Sequence, residues 1–187
     1  FTTLCLLPFI LTKYREELKN IKSRNLILCL VSGFFLACHF TCYFESIRYT
    51  SVSSSTVLVD IEVFFICIFS YILFREKCSK TGIIGILITF SGSVVLAMAD
   101  RSGGSQIILG DMLALAGACF MAIYTMIGSR QRKGLSTTVY TFLVYGMTAF
   151  TLLVFNLFSH TPVTGYGTMN YIWGFLLCVF CTLMGHS

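Results

Sequence analysis

Two carboxylic acids, Asp60 and Glu62, stand two residues apart in a stretch from Ser51 to Phe74 that carries no other charge. Asp60 is the tenth and Glu62 the twelfth of those 24 residues. A carboxyl so placed can carry a proton, pair with the amine of a small solute, or hydrogen-bond a neighbouring helix. Facing lipid, it does none of these cheaply. On insertion scales an acid at the centre of a membrane span costs about 2.5 to 3.5 kcal/mol, while each Leu, Ile, Phe or Val returns about 0.3 to 0.6. The fourteen such residues in 51–74 offset about 4 to 8 kcal/mol against a cost of about 5 to 7 for the pair. The span is marginal alone, so its acids are predicted to face protein or water. At about 100° per residue the two point about 200° apart, so they do not form one site by themselves. Asp60 then shares a polar stripe with Ser53, Thr56, Cys67 and Ser70, the expected cavity wall, and Glu62 lies among Leu58, Val59, Ile66 and Phe69.

His39 falls on a stripe with Ser32, Phe35, Cys42, Tyr43 and Ser46. A packed, hydrogen-bonded imidazole is the plainer reading of it, and a place on a proton or substrate path the functional one. Tyr43, Tyr124 and His186 complete the set of candidate pathway residues with Asp60, Glu62 and His39. For the tyrosines, helix packing is the plainer alternative. Glu45 and Arg48, three residues apart, read as a surface ion pair.

Other chemistries lack their residues. HExxH, GxSxG and GxxxxGK[ST] patterns are absent, and Glu16-Glu17 lies in a basic connection outside the spans. An intramembrane enzyme and a membrane sensor or scaffold without turnover are the rival classes, and neither a cofactor nor a metal is implied. Cys178 and Cys181 form a CxxC with no second pair at zinc spacing. The cysteines sit mostly in apolar runs, where they behave as small hydrophobes.

The elements that must carry these residues follow from composition. Of 187 residues, 56% are hydrophobic and only 11% charged, and none from Gly134 to Ser187 is Asp, Glu, Lys or Arg. Soluble domains carry roughly 25% charged residues. The class is therefore an all-α polytopic membrane protein. Apolar segments fall at Phe1–Thr12, Asn25–Phe44, Ser51–Phe74, Thr81–Met98, Gly110–Gly128, Thr138–Leu157 and from Tyr171 onward, and the first and last are expected to be truncated. The connections alternate in charge, with eleven Lys and Arg on one side and two on the other. That bias puts loops 13–24, 75–80 and 129–133 in the cytoplasm of a multi-pass cell-membrane protein. It also accounts for the net charge of +5 without a nucleic-acid partner.

A shift of 147 residues aligns Leu30–His39 with Leu177–His186, matching both leucines and the closing histidine. Five span-to-span steps separate the histidines, so the second copy enters the membrane from the opposite face, the arrangement of inverted-repeat carriers. Residues 1–100 are expected to belong to the first repeat and 107–187 to the second, with the Arg-Ser-Gly-Gly-Ser run between them as a link.

YTSVSSSTVLV (49–59), FREK (74–77), TGIIGILITFSGSVVLAM (81–98) and GDMLALAGACFMAIYTMIGSRQRK (110–133) together resemble the EamA-type transporters of the drug/metabolite transporter superfamily. The resemblance implies an inverted-repeat bundle of five plus five helices with both termini cytoplasmic, of which this chain covers about helices 2 to 8. It implies a small polar metabolite such as an amino acid as cargo, and with the mid-span acids the leading expectation is a secondary, alternating-access carrier working outward and coupled to protons through Asp60. Members commonly carry a proline midway along the fourth helix; Val59 to Val63 has none. The small residues Gly82, Gly85, Ser91, Gly92 and Ser93, and the row Ala114, Ala118, Ala122, are expected to permit close helix packing within the chain or in a homodimer.

Overall fold

A computed structural model describes residues 1–76, 79–99, 106–159 and 165–178. Among them the chain is helical without strands: α1 (Thr2–Thr12), α2 (Arg15–Lys19), α3 (Ser23–Ser46), α4 (Val52–Val59), α5 (Glu62–Phe74), α6 (Lys80–Ala99), α7 (Ile107–Gln131), α8 (Thr137–Ser159) and α9 (Thr168–Leu177). Each apolar run of the sequence is a helix, because a chain in lipid must satisfy its backbone groups within the segment. Four stretches, Ser23–Ser46, Val52–Phe74, Ile107–Gln131 and Thr137–Ser159, are long and apolar enough to cross a membrane, and Thr2–Thr12 and Lys80–Val95 are shorter apolar helices. The molecule is an all-α polytopic membrane protein.

The third span differs from expectation, since it is two helices. α4 ends at Val59 and α5 starts at Glu62. Elsewhere the sequence boundaries hold to within a few residues. The basic connection after α1 also contains the short helix α2.

The chain packs as two units, Phe1–Phe34 with Ile127–Ser187, and Phe35–Met126. In the first, α1 lies along α8. Small and polar residues knit this unit. The Ser32 and Tyr140 hydroxyls bond at 2.8 Å, both buried. Thr148 Oγ1 donates to Val144 O at 2.8 Å and to Gly33 O at 2.9 Å, so one hydroxyl links α8 to α3. Phe1 and Phe175 meet edge to face at 6.0 Å.

In the second unit Leu58, Ile61 and Ala114 form a small core, with Val59, Phe65 and Leu115 packed against it. Ala114, Ala118 and Ala122 are wholly buried. Their four-residue spacing puts a bare strip on α7, as expected. The glycines of α6 behave otherwise: a Cβ added at Gly85 or Gly92 would meet nothing within 4 Å, so neither serves close approach inside the described structure. Ile72, Leu73, Ile84, Leu87, Ile88 and Val95 are exposed on α5 and α6, as befits helices whose solvent is hydrocarbon.

Candidate functional site

The interruption between α4 and α5 falls at Asp60 and Ile61, at the middle of a 23-residue span. The Asp60 amide still reaches four residues back, to Thr56 O at 3.1 Å. The Ile61 amide reaches only three, to Leu58 O at 3.3 Å, and the Phe64 amide bonds Ile61 O at 2.9 Å, so the ladder tightens to three-residue turns and slips. Ser93 of α6 attends the break. Its hydroxyl donates to Thr89 O at 2.9 Å and stands 3.5 Å from Val57 O, the carbonyl that the slipped Ile61 amide no longer meets. No proline or glycine stands at the break.

The break stands beside both acids. Asp60 and Glu62 line one cavity of about 430 Å³ together with Phe64, Gly82, Gly85 and Thr89. Residues 60–64 border it in an unbroken run, and α6 borders the other side. Asp60 is exposed and Glu62 half-buried. Glu62 Oε2 is shielded from solvent and has no hydrogen-bond partner among the described residues. The bare backbone at Gly85 leaves the α6 wall open.

His39 stands apart from this cavity's lining. It is 6% exposed, its Nδ1 is 3.0 Å from Gly117 O, and its ring stacks on Tyr43 at 6.1 Å. A carbonyl only accepts, so Nδ1 carries the proton and donates. Tyr43 passes the contact onward: its hydroxyl bonds Thr56 Oγ1 at 3.1 Å, and Thr56 itself donates to Val52 O at 2.7 Å. The Tyr43 hydroxyl is therefore the donor to Thr56. Ser46 and Ser55 close the same seam through a short hydroxyl contact. The imidazole is thus a packed, hydrogen-bonded bridge from α3 to α7. His39→Phe, which keeps the ring and deletes the bond, is expected to destabilise the protein by about 0.6 to 1.7 kcal/mol, read as a lower Tm in detergent; an unchanged Tm would deny the bridge a role.

Tyr124 is half-buried on α7 and does not line the acid cavity. His186 lies outside the described residues, as does Cys181 of the CxxC. Glu45 and Arg48 pair at 3.0 Å, as their spacing predicts. The seven described cysteines are free thiols. No group of three His, Cys, Asp or Glu side chains among the described residues is placed to hold a metal.

One acid escaped the sequence reading. Asp111, near the start of α7, has Oδ1 buried without a hydrogen-bond partner among the described residues. The preceding residue is tightly packed: a Cβ on Gly110 would lie 2.9 Å from the Thr50 amide nitrogen, so the start of α7 presses on the turn at Tyr49 and Thr50. The Gly-Asp pair opening an apolar helix was the signal for it.

A profile of the EamA-like transporter family matches residues 1–98. The uncharacterized transporter YyaM of Bacillus subtilis (strain 168) is 28% identical over 153 residues, 77% of this chain and 49% of the relative. The uncharacterized vacuolar membrane protein YML018C of Saccharomyces cerevisiae is 31% identical over 101 residues, 46% of this chain and 26% of its own. The thiamine-repressible mitochondrial transport protein THI74 of the same yeast is 29% identical over 117 residues, 59% of this chain and 31% of that protein. The chain spans at most about half the length of these relatives. No solved structure matches it.

Proposed function

The chain belongs to the EamA-like transporter family, and from that premise we propose that the full-length protein is a secondary carrier that exports a small polar metabolite such as an amino acid. The cavity at the α4–α5 break carries the reading. Its volume, about 430 Å³, falls in the range of small-molecule sites, roughly 300 to 1,000 Å³. Interrupted helices near mid-membrane are where carriers of inverted-repeat design hold substrates and coupling ions. Asp60 and Glu62 offer carboxyls to the amine of an amino acid, while Gly82 and Gly85 leave the α6 side of the cavity without bulk. Asp60, exposed to the cavity, is the coupling carboxyl that exchanges a proton for cargo.

Residues 1–100 and 107–187 are the two repeats in this reading, rocking about the site. The protein sits in the cell membrane with loops 13–24, 75–80 and 129–133 cytoplasmic. The Lys and Arg bias of the connections supports that sidedness, and so does the meeting of two of these connections at one end of their unit, where Glu17 bonds Ser136.

Untargeted metabolite profiling of the medium tests the proposal, using cells that make the full-length protein beside cells with the empty vector. An amine-bearing metabolite enriched outside only when the protein is present is the expected result. No enrichment, with the protein verified in the membrane, would overturn export. A bound metabolite without flux would instead mark a sensor.

A further inference from the structure

One bond ties together two connections that lie far apart in sequence. The Ser136 amide donates to Glu17 Oε1 at 2.6 Å, across 119 residues. Ser136 is the residue before α8, and its hydroxyl accepts from the Val139 amide at 3.3 Å. The N-terminus of α8 is thus closed twice, by its own serine and by a carboxylate from the α1–α3 connection. Glu17 sits midway along α2, and its negative charge meets the positive end of the α8 dipole. Its neighbour Glu16 does nothing of the kind, pairing with Lys19 at 3.3 Å with both side chains largely in solvent. Of two adjacent acids, one is committed to a distant element.

The surroundings show what the bond holds. Glu17, Asn20, Lys22, Asn25 and Leu135 line a cavity of about 480 Å³ between the two connections. They therefore meet over an open space bordered by polar and charged side chains as well as by Ile21 and Leu135, and the bond can part without tearing a closed core. Both connections belong to the basic set that the Lys and Arg count puts on one side of the membrane.

We propose that Glu17 and the Ser136 amide form a latch that keeps the inner end of this unit closed, and that parting them opens the inward-facing state. The proposal rests on the carrier reading above. Cys29 reports on it: it is wholly buried, on the second turn of α3, the helix that follows α2. Cys42, near the other end of α3, is half-buried and reports on the outer side.

The experiment treats open membrane fragments containing the full-length protein with a charged, membrane-impermeant maleimide, and follows each cysteine by peptide mass spectrometry. Glu17→Ala is expected to raise the labelling rate of Cys29 about tenfold and to lower that of Cys42, since a carrier that opens inside closes outside. Glu17→Gln keeps an accepting oxygen and should fall between. Cys29 labelled equally in wild type and Glu17→Ala would overturn the latch. A rise at both cysteines would mean general loosening and would overturn it too. The reciprocal response in a protein that moves no metabolite in the profiling assay would keep the latch and sink the carrier reading.

Discussion

Asp60→Asn in the full-length protein is expected to cut export about ten- to a hundredfold and to leave the residual flux indifferent to a pH gradient. The size follows from what is lost. A hydrogen bond to a charged group is worth about 1.5 to 3 kcal/mol, and each 1.4 kcal/mol is a factor of ten. Asparagine keeps the shape and one accepting oxygen but can neither take up a proton nor balance an ammonium. Wild-type export should quicken when the exterior is made acidic, because each carboxyl released by cargo is then refilled by a proton. The variant's should not. Insertion should be unharmed, since an uncharged amide at mid-span costs no more than the acid it replaces; Tm is accordingly expected to hold or rise. Flux equal to wild type at every pH would remove Asp60 from the mechanism. Loss of flux with a fallen Tm would make it a packing residue. Glu62→Gln separates the partners: its Oε2 is already shielded and unpartnered, so the amide should weaken cargo binding while sparing the response to pH.

The spans were legible because hydrocarbon imposes a simple rule on them: about twenty apolar residues, with all backbone groups satisfied inside the helix. Ser32, His39 and Ser46 also fell where the stripe put them, buried on the inner face of α3, since a 3.6-residue period in an unbroken helix fixes which side chains share a face. The same reasoning did not foresee the break beside Asp60 and Glu62. It assumed that the helix ran straight, and a missing proline supported that assumption. The break is instead a slip of the ladder at Ile61 beside Ser93, a contact between residues 36 apart. Periodicity carries no information about such a contact. Glu17 was passed over for a similar reason. An acid in a basic connection looks like solvent-facing charge until the partner amide, 119 residues away, is in view.

Gly33 tests the packing that holds α3 to α8, and its replacement should carry the largest structural cost in the molecule. A Cβ built there would lie 2.5 Å from Val144 O and 2.8 Å from Met147 Cβ. One of these is backbone, so the helices must move apart, and the Thr148 hydroxyl that reaches both Gly33 O and Val144 O would lose its second partner. Overpacking of this kind costs about 1 to 3 kcal/mol for the added atoms. Gly33→Ala is therefore expected to lower Tm by several degrees, and Gly33→Val to abolish the folded protein in detergent. Gly92→Ala is the matched control. It makes the same chemical change on α6, where a Cβ meets nothing within 4 Å, and alanine is the better helix former by about 0.8 to 1.0 kcal/mol. Its Tm should equal or exceed that of the wild type. Equal losses at both positions would mean that backbone freedom, and not helix contact, sets the response, and would remove the α3–α8 seam as a source of stability. A loss at Gly33 alone would show that glycines on two apolar spans serve different ends, one admitting a neighbouring backbone and the other leaving a face bare.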